Sequence, residues 1–288
     1  MITVFTPSYN RAYIIKALYE SLCRQTCQDF EWLVVDDGST DETESLLDGF
    51  IQEKRIKLRY IKQPNAGKHV AINRGVQEAH GELFFIVDSD DHLSDDAVEK
   101  LTYYFRQVAD DDRFAGISGV RVNFKDERIG GELGFLVLDC SPLDLRLKYH
   151  VQGDMAEAFK TSVLKAYPFP VFEGERFCPE ALVWNRISQR YCLRFTDSKI
   201  YRCEYLQDGL TAKIARLRMH SPNASLLYYS ELYKMPIPFL QKVKAATNYW
   251  RFAFCKEGSF FSKVHQIGIL SLCTLPLGYL FHLKDLRS

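Results

Sequence analysis

Short apolar runs punctuate the first part of the chain, at residues 2–6, 32–35, 56–61, 83–87 and 116–122. They are rich in Ile, Val, Leu and aromatic residues, and runs of this kind predict strands buried on both faces. Between them the spacing changes to a helical period. Residues 14–24 place Ile14, Ile15, Leu18 and Leu22 on one face, residues 42–51 bring Leu46, Leu47 and Ile51 together, and residues 70–79 carry Ala71 and Ala79. These segments read as crossover helices. Strand and helix in alternation predict an α/β fold with a mostly parallel sheet, helices on both faces, and a ligand crevice beyond the strand C-termini. A further helix is expected over 95–108, with Ser94 as its N-cap and Asp95 and Asp96 suiting the dipole of its first turn.

Beyond Phe124 the alternation stops. Residues 125–150 mix charge, glycine and apolar stretches without a clean period and read as a loop-rich excursion. Helices are expected over 155–166, ended by Tyr167-Pro168-Phe169-Pro170, and over 179–190, where Pro179 suits a first helical turn. Residues 193–196 and 199–206 look strand-like. From about Ser221 the chain is helical and aromatic, carrying Tyr228, Tyr229, Tyr233, Tyr249, Trp250, Phe252 and Phe254. This organisation predicts one domain over 1–220 and a helical C-terminal region over 221–288.

Composition narrows the function classes. With 47% hydrophobic and 26% charged residues the chain is an ordinary globular protein. Its 37 Lys and Arg offset 37 Asp and Glu, which argues against nucleic acid as a partner, because nonspecific binding there rests on excess positive charge. The eight cysteines are scattered without a CxxC pair, so neither a zinc cage nor a disulfide framework is expected, and a reducing cytosol fits. The first residues lack the basic leader and long apolar core of a signal peptide. Residues 267–282 contain no Asp, Glu, Lys or Arg but are broken by Pro276 and Gly278. They predict a shallow, bent peripheral contact with a membrane surface, the alternatives being packing on the rest of the chain or a homodimer contact.

Chemistry collects at the strand ends. Asp88-Ser89-Asp90-Asp91 leaves the apolar run 83–87, and like charges so close are tolerable when a hard divalent cation, Mg²⁺ or Mn²⁺, shares them with substrate phosphates. Asp36-Asp37-Gly38-Ser39 follows the second run, where a carboxylate can accept the imide N–H of uracil or the N–H groups of guanine. Tyr9, after the first run, can stack on a base. Asn65-Ala66-Gly67-Lys68-His69 offers a glycine and cations to phosphate. Each motif alone also fits a capped turn or a solvated loop.

Together they resemble a family, the inverting glycosyltransferases of family 2, which have the GT-A fold and include many bacterial polysaccharide enzymes. The resemblance rests on Thr6-Pro7-Ser8-Tyr9-Asn10-Arg11, on Gln25-Thr26 with Asp29-Phe30-Glu31, on Val34 through Asp41, on Gly67 through Asn73, and on Gly81-Glu82 leading to Asp88 through Asp91. It covers about the first 125 residues tightly, implying a nucleotide-sugar-binding half over 1–125 and an acceptor half over 126–220. By resemblance Pro7, Tyr9 and Asp37 surround the base, Asp88 and Asp90 lie at ribose and diphosphate, Lys68 assists, and Asp90 or Asp91 holds the metal. An inverting enzyme also needs a carboxylate base, which the family places at a helix start about a hundred residues after the metal motif. Here Glu180 is that residue, with Glu175 in reserve, although Pro179-Glu180 replaces the family's usual Glu-Asp pair. Gly153-Asp154 marks the acceptor floor in this reading.

The implied activity is transfer of a hexosyl or N-acetylhexosaminyl group from a UDP-sugar to a glycan or lipid-linked oligosaccharide at the inner face of the cytoplasmic membrane. A haloacid-dehalogenase-like phosphatase would carry its Asp-x-Asp after the first strand. A dehydrogenase would carry GxGxxG and a sugar-nucleotide pyrophosphorylase a glycine-rich loop there; residues 6–11 match none of these. The remaining alternative is a GT-A-like domain that binds sugar nucleotide without turnover.

Overall fold

The computed structural model describes residues 1–203 and 214–287. Packing divides the chain into two units, Met1–Pro168 with Arg186–Tyr205, and Phe169–Asn185 with Leu206–Ser288.

The first unit is built on one sheet. The apolar runs form β1 (Ile2–Ser8), β2 (Phe30–Asp36), β3 (Leu58–Lys62) and β4 (Leu83–Ile86), joined by α1 (Ile15–Cys23), α2 (Thr43–Glu53) and α3 (Lys68–Glu78). They are followed by the two-residue β5 (His92–Leu93), α4 (Ala97–Arg106) and β6 (Phe114–Val122). Then come β7 (Val137–Cys140), α5 (Pro142–Leu147), β8 (Met155–Lys160) and α6 (Thr161–Ala166). The strand order is β3-β2-β1-β4-β8-β6-β9-β5, where β9 is Cys192–Arg202, and β7 also pairs with β9. β1 runs parallel to both β2 and β4, while β8 is antiparallel to β4 and to β6. The half of the sheet ordered β3-β2-β1-β4 is therefore all parallel, as the alternation predicts, while β8 is wedged in antiparallel and β5 and β7 pair antiparallel with β9, which makes the whole sheet mixed.

Alternation of side chains across the sheet explains the two helical layers. Ile2, Val4, Trp32, Val34, Leu83 and Phe85 share one core with Leu18, Leu22, Leu47, Val98 and Leu101 of α1, α2 and α4. Phe5 and Phe84 face the other way and stack at 4.9 Å. There α3 approaches so closely that a Cβ on Gly75 would sit 2.1 Å from the Phe5 ring, which is why a helix interior carries glycine at this point.

Several expectations from sequence need correction. The helix expected over 155–166 is a strand, β8, as far as Lys160, and only Thr161–Ala166 is helical. Met155-Ala156-Glu157-Ala158-Phe159-Lys160 has helix-forming composition, but two flanking strands offer it ladders on both edges, and tertiary pairing outweighs propensity. Residues 125–150 are not loop alone, since they contain β7 and α5. The two strand-like stretches near 193 and 199 are one strand with register breaks against β6, while residues 204–206 lie outside the described residues. Ser94 is not the cap of α4. The N-cap is Asp96, and the backbone N–H of Val98 is accepted by Gln25 Oε1 at 3.0 Å. Ser94 Oγ instead lies 2.9 Å from both Asp96 Oδ1 and the Lys199 carbonyl oxygen, two acceptors that share its one hydroxyl hydrogen.

The second unit contains the start of α7 (Glu180–Ser188), then α8 (Ile214–Met219), α9 (Pro222–Lys234), α10 (Phe239–Ala253), α11 (Phe260–Ile267), a 3-10 helix at Ile269–Thr274 and α12 (Leu275–Asp285). Its core joins Leu226 and Tyr229 of α9 to Tyr249, Trp250 and Phe252 of α10 and Ile267 of α11.

Candidate active site

β1 is a switch point: the chain winds to β2 and β3 on one side and to β4 on the other, so the crevice between the β1 and β4 ends is where a ligand is expected. Pro7 lies past the last β1–β4 pair, Phe5 with Ile86, but still opposite Val35 of β2. A proline, which lacks an N–H, is tolerated where one neighbour has left. Ser8 Oγ is buried at this rim without a hydrogen-bond partner among the described residues. Tyr9 is exposed, and Asn10 adopts a positive φ of 53°.

The β1 and β2 loops are stitched together. Asn10 N–H donates to Ser39 Oγ at 2.8 Å, Asn10 Oδ1 accepts from Thr40 N–H at 2.8 Å, and Asp41 Oδ2 accepts from Ala12 N–H at 3.0 Å. Asp36 is fully buried and accepts from Ser39 N–H and from the Tyr60 hydroxyl at 2.7 Å. Asp37, only 4% exposed, accepts from Gln63 Nε2 at 2.8 Å and Ala66 N–H at 2.9 Å on Oδ1, and from Gly67 N–H at 2.7 Å on Oδ2. Its carboxylate thus holds the loop that delivers Lys68, the first residue of α3. Replacing Asp37 by Ala strands these donors, at a cost of about 1–3 kcal/mol for each one left buried. The expected result of Asp37→Ala is a lowered melting temperature, read by thermal denaturation. Unchanged stability would show that the loop is held otherwise.

The acidic turn carries three carboxylates in three environments. Asp88 Oδ1 lies 2.7 Å from Lys68 Nζ. Burial pushes its carboxyl up, but the Lys68 ammonium, with Arg121 and Arg11 beyond, outweighs this and holds it below the ordinary carboxylate range. Asp91 is buried and accepts the Tyr201 hydroxyl at 2.6 Å. Burial, and then the charge of Asp88, raise its carboxyl to about 7 against the pull of that hydrogen bond. Asp90 is half-buried, and among the described residues no group donates a hydrogen bond to it or pairs with it. No three His, Cys, Asp or Glu side chains among the described residues form a metal cage. This donor set fits Mg²⁺ or Mn²⁺ held by one or two carboxylates and completed by diphosphate oxygens and water.

Two residues of the turn's support are not apparent in the sequence. Tyr201 of β9 donates to Asp91, accepts the Asp88 backbone N–H at 3.1 Å, and lies under Arg121, whose guanidinium carbon is 4.4 Å from the ring centre. Neither residue belongs to a recognisable motif; β9 comes to the turn only through its pairing with β6 and β5. Tyr201→Phe removes the bond to Asp91 and the acceptor for Asp88, so it should lower stability by about 1–3 kcal/mol. The change is measurable by denaturant titration, and an unaltered midpoint would contradict this role.

Glu175 and Glu180 belong to the second unit. Glu175 is buried and caps α9: it accepts from Asn223 N–H at 2.6 Å, Asn223 Nδ2 at 2.9 Å and Ala224 N–H at 2.9 Å. Glu180 is the half-buried first residue of α7.

Comparison with known proteins bears on the family and the fold. The family model described as Glycosyl transferase family 2 matches residues 3–160. The chain belongs to that family. Glycosyltransferase GlyG of Streptococcus pneumoniae is 35% identical over 113 residues, 39% of this chain and 36% of GlyG. A PGL/p-HBAD biosynthesis glycosyltransferase of Mycobacterium bovis is 37% identical over 93 residues, 32% of this chain and 36% of that protein. The matched stretch therefore spans about a third of each of these relatives. Among solved structures, S. aureus TarS 1–349 in complex with UDP-GlcNAc aligns over 99% of this chain and 89% of its own, with TM-score 0.67 and 15% identity. Mannosyltransferase PcManGT from Pyrobaculum calidifontis, in complex with GDP-Man and Mn²⁺, aligns over 99% and 87%, with TM-score 0.58 and 16% identity. At such identities the likeness is one of fold, and the fold of this chain is GT-A.

Proposed function

We propose that this chain is an inverting glycosyltransferase that moves a hexosyl or N-acetylhexosaminyl group from a UDP-sugar to a hydroxyl of a glycan or lipid-linked oligosaccharide, at the inner face of the cytoplasmic membrane. The observation that carries this reading is the Asp88–Asp91 turn at the switch point of a family 2 sheet, with Lys68 against Asp88 and Asp90 left without a partner among the described residues. The UDP-GlcNAc complex of TarS, a protein of the same fold, supports a UDP-sugar as donor.

In this mechanism Tyr9 and Pro7 flank the nucleotide base, and Asp37 accepts the uracil imide on Oδ2, which has one partner among the described residues. Lys68 and Asp88 position ribose and diphosphate. Mg²⁺ or Mn²⁺ on Asp90, with Asp91 beside it, would neutralise the charge growing on the leaving diphosphate. Glu180 takes the proton from the acceptor hydroxyl as its oxygen attacks the anomeric carbon from the face opposite the leaving group. Glu175 is spent on capping α9, which favours Glu180 as the base. Because Asp91 holds its proton to about pH 7, cation uptake competes with protonation. Affinity for Mn²⁺ is therefore expected to fall between about pH 8 and about pH 6, and a pH-independent titration would argue against a cation beside Asp91.

A thermal-shift screen of UDP-, GDP- and dTDP-sugars with Mn²⁺ tests the donor assignment, since whatever binds the native state raises its melting temperature. The reading expects the largest rise from a UDP-sugar, and release of UDP on adding acceptor separates a transferase from a binding protein. A shift with GDP-sugars alone would replace uracil by guanine.

A further inference from the structure

The C-terminal stretch of the second unit is built inside out. α12 turns Gly278 and His282 inward, and Asp285 pairs with Arg251 of α10, Arg251 Nη2 donating to Asp285 Oδ1 at 2.6 Å. The contact is close: a Cβ on Gly278 would lie 2.6 Å from Trp250 Cβ and 2.8 Å from the Thr247 carbonyl oxygen. In the 3-10 helix before it, Ser271 and Thr274 are the buried residues, and Trp250 Nε1 donates to the Ser271 carbonyl at 3.0 Å. The apolar side chains point away. Phe261 is 82% exposed, Ile269 70%, Leu270 78% and Leu280 61%, and Leu277 and Phe281 are exposed beside them. A helix on a water-facing surface turns its polar side outward; here glycine, serine, threonine, histidine and aspartate face the protein, and leucine and phenylalanine face out.

From this inversion we propose that Phe261, Ile269, Leu270, Leu277, Leu280 and Phe281 insert into the surface of an anionic bilayer, with the segment lying in the plane of the head groups. No single helix among the described residues is long and apolar enough to cross a membrane, and α11 meets the segment Ile269–Asp285 at 109°, a geometry suited to a shallow element rather than a straight span. Charge selects the occupant. Residues 258–284 contain no Asp or Glu, while His265, Lys284 and Arg287 are exposed around the apolar face, which suits anionic head groups. A two-fold contact between copies would instead bring these cations against their own kind.

The test is co-sedimentation of the full chain with vesicles of phosphatidylcholine plus phosphatidylglycerol, against phosphatidylcholine alone. The chain should pellet with the anionic vesicles and bind them less tightly as salt rises. Leu270→Gln combined with Leu280→Gln should weaken vesicle binding by about tenfold or more and leave the melting temperature and UDP binding unchanged. UDP binding reports on the donor site separately, so its failure does not bear on this surface. Wild-type protein remaining in the supernatant at low salt would overturn the proposal. So would a melting temperature lowered by the two substitutions, which places these side chains in a core, or a solution dimer that they dissociate, which assigns the face to a second copy.

Discussion

Asp90→Asn is expected to cut turnover by about 10²- to 10³-fold, the usual cost of removing one electrostatic stabiliser of a charge that develops in the transition state. The reason lies in how the acidic turn divides its carboxylates. Asp88 is committed to Lys68 and Asp91 to Tyr201, whereas Asp90 has no such partner among the described residues. Asparagine keeps the size of the side chain and removes its charge, so the melting temperature should not move while activity with Mn²⁺ collapses. Excess EDTA should bring the wild-type enzyme down to the level of the variant. Full activity in EDTA, or in Asp90→Asn, would remove the metal from the mechanism.

The largest effect is expected at Glu180. Glu180→Gln is close to isosteric but cannot take a proton, and loss of a general base costs about 10²- to 10⁴-fold in kcat. Donor affinity should stay near wild type, because the base acts on the acceptor. Glu175→Gln should behave differently: it weakens the cap on Asn223 and Ala224 and lowers stability, with transfer per folded molecule retained. The reverse pattern, a stable Glu175→Gln protein without transfer beside an active Glu180→Gln protein, would exchange the two roles. Retention of the donor's anomeric configuration in the product would exclude the inverting mechanism.

The first half of the sheet was legible because its information is local. Buried parallel strands write themselves as apolar runs, and β1, β2 and β4 run out at Ser8, Asp36 and Ile86, where the polar loops carrying Tyr9, Asp37 and Asp88 begin. β8 was not legible. Whether Met155–Lys160 is helix or strand depends on β4 and β6, which lie far from it in the chain and offer it edges that no local pattern records. The same holds for the site. The acidic turn is visible as a motif, but Tyr201, which orders it, arrives by long-range pairing and looks like any strand tyrosine. Motif residues also carry structural duties that a motif does not disclose. Gln25 caps α4 and Asp37 holds the loop before Lys68, so loss of function on mutating either reports on architecture as well as on ligand.

The most direct measurement is calorimetric titration of UDP into the wild-type chain and into Asp90→Asn, each with Mn²⁺ and again in EDTA. The proposed site predicts saturable one-to-one binding that is strong only for wild type with Mn²⁺, with the variant and the EDTA samples falling together to the same weak level. UDP binding that ignores both the metal and Asp90, or no binding at all under any of these conditions, would contradict it.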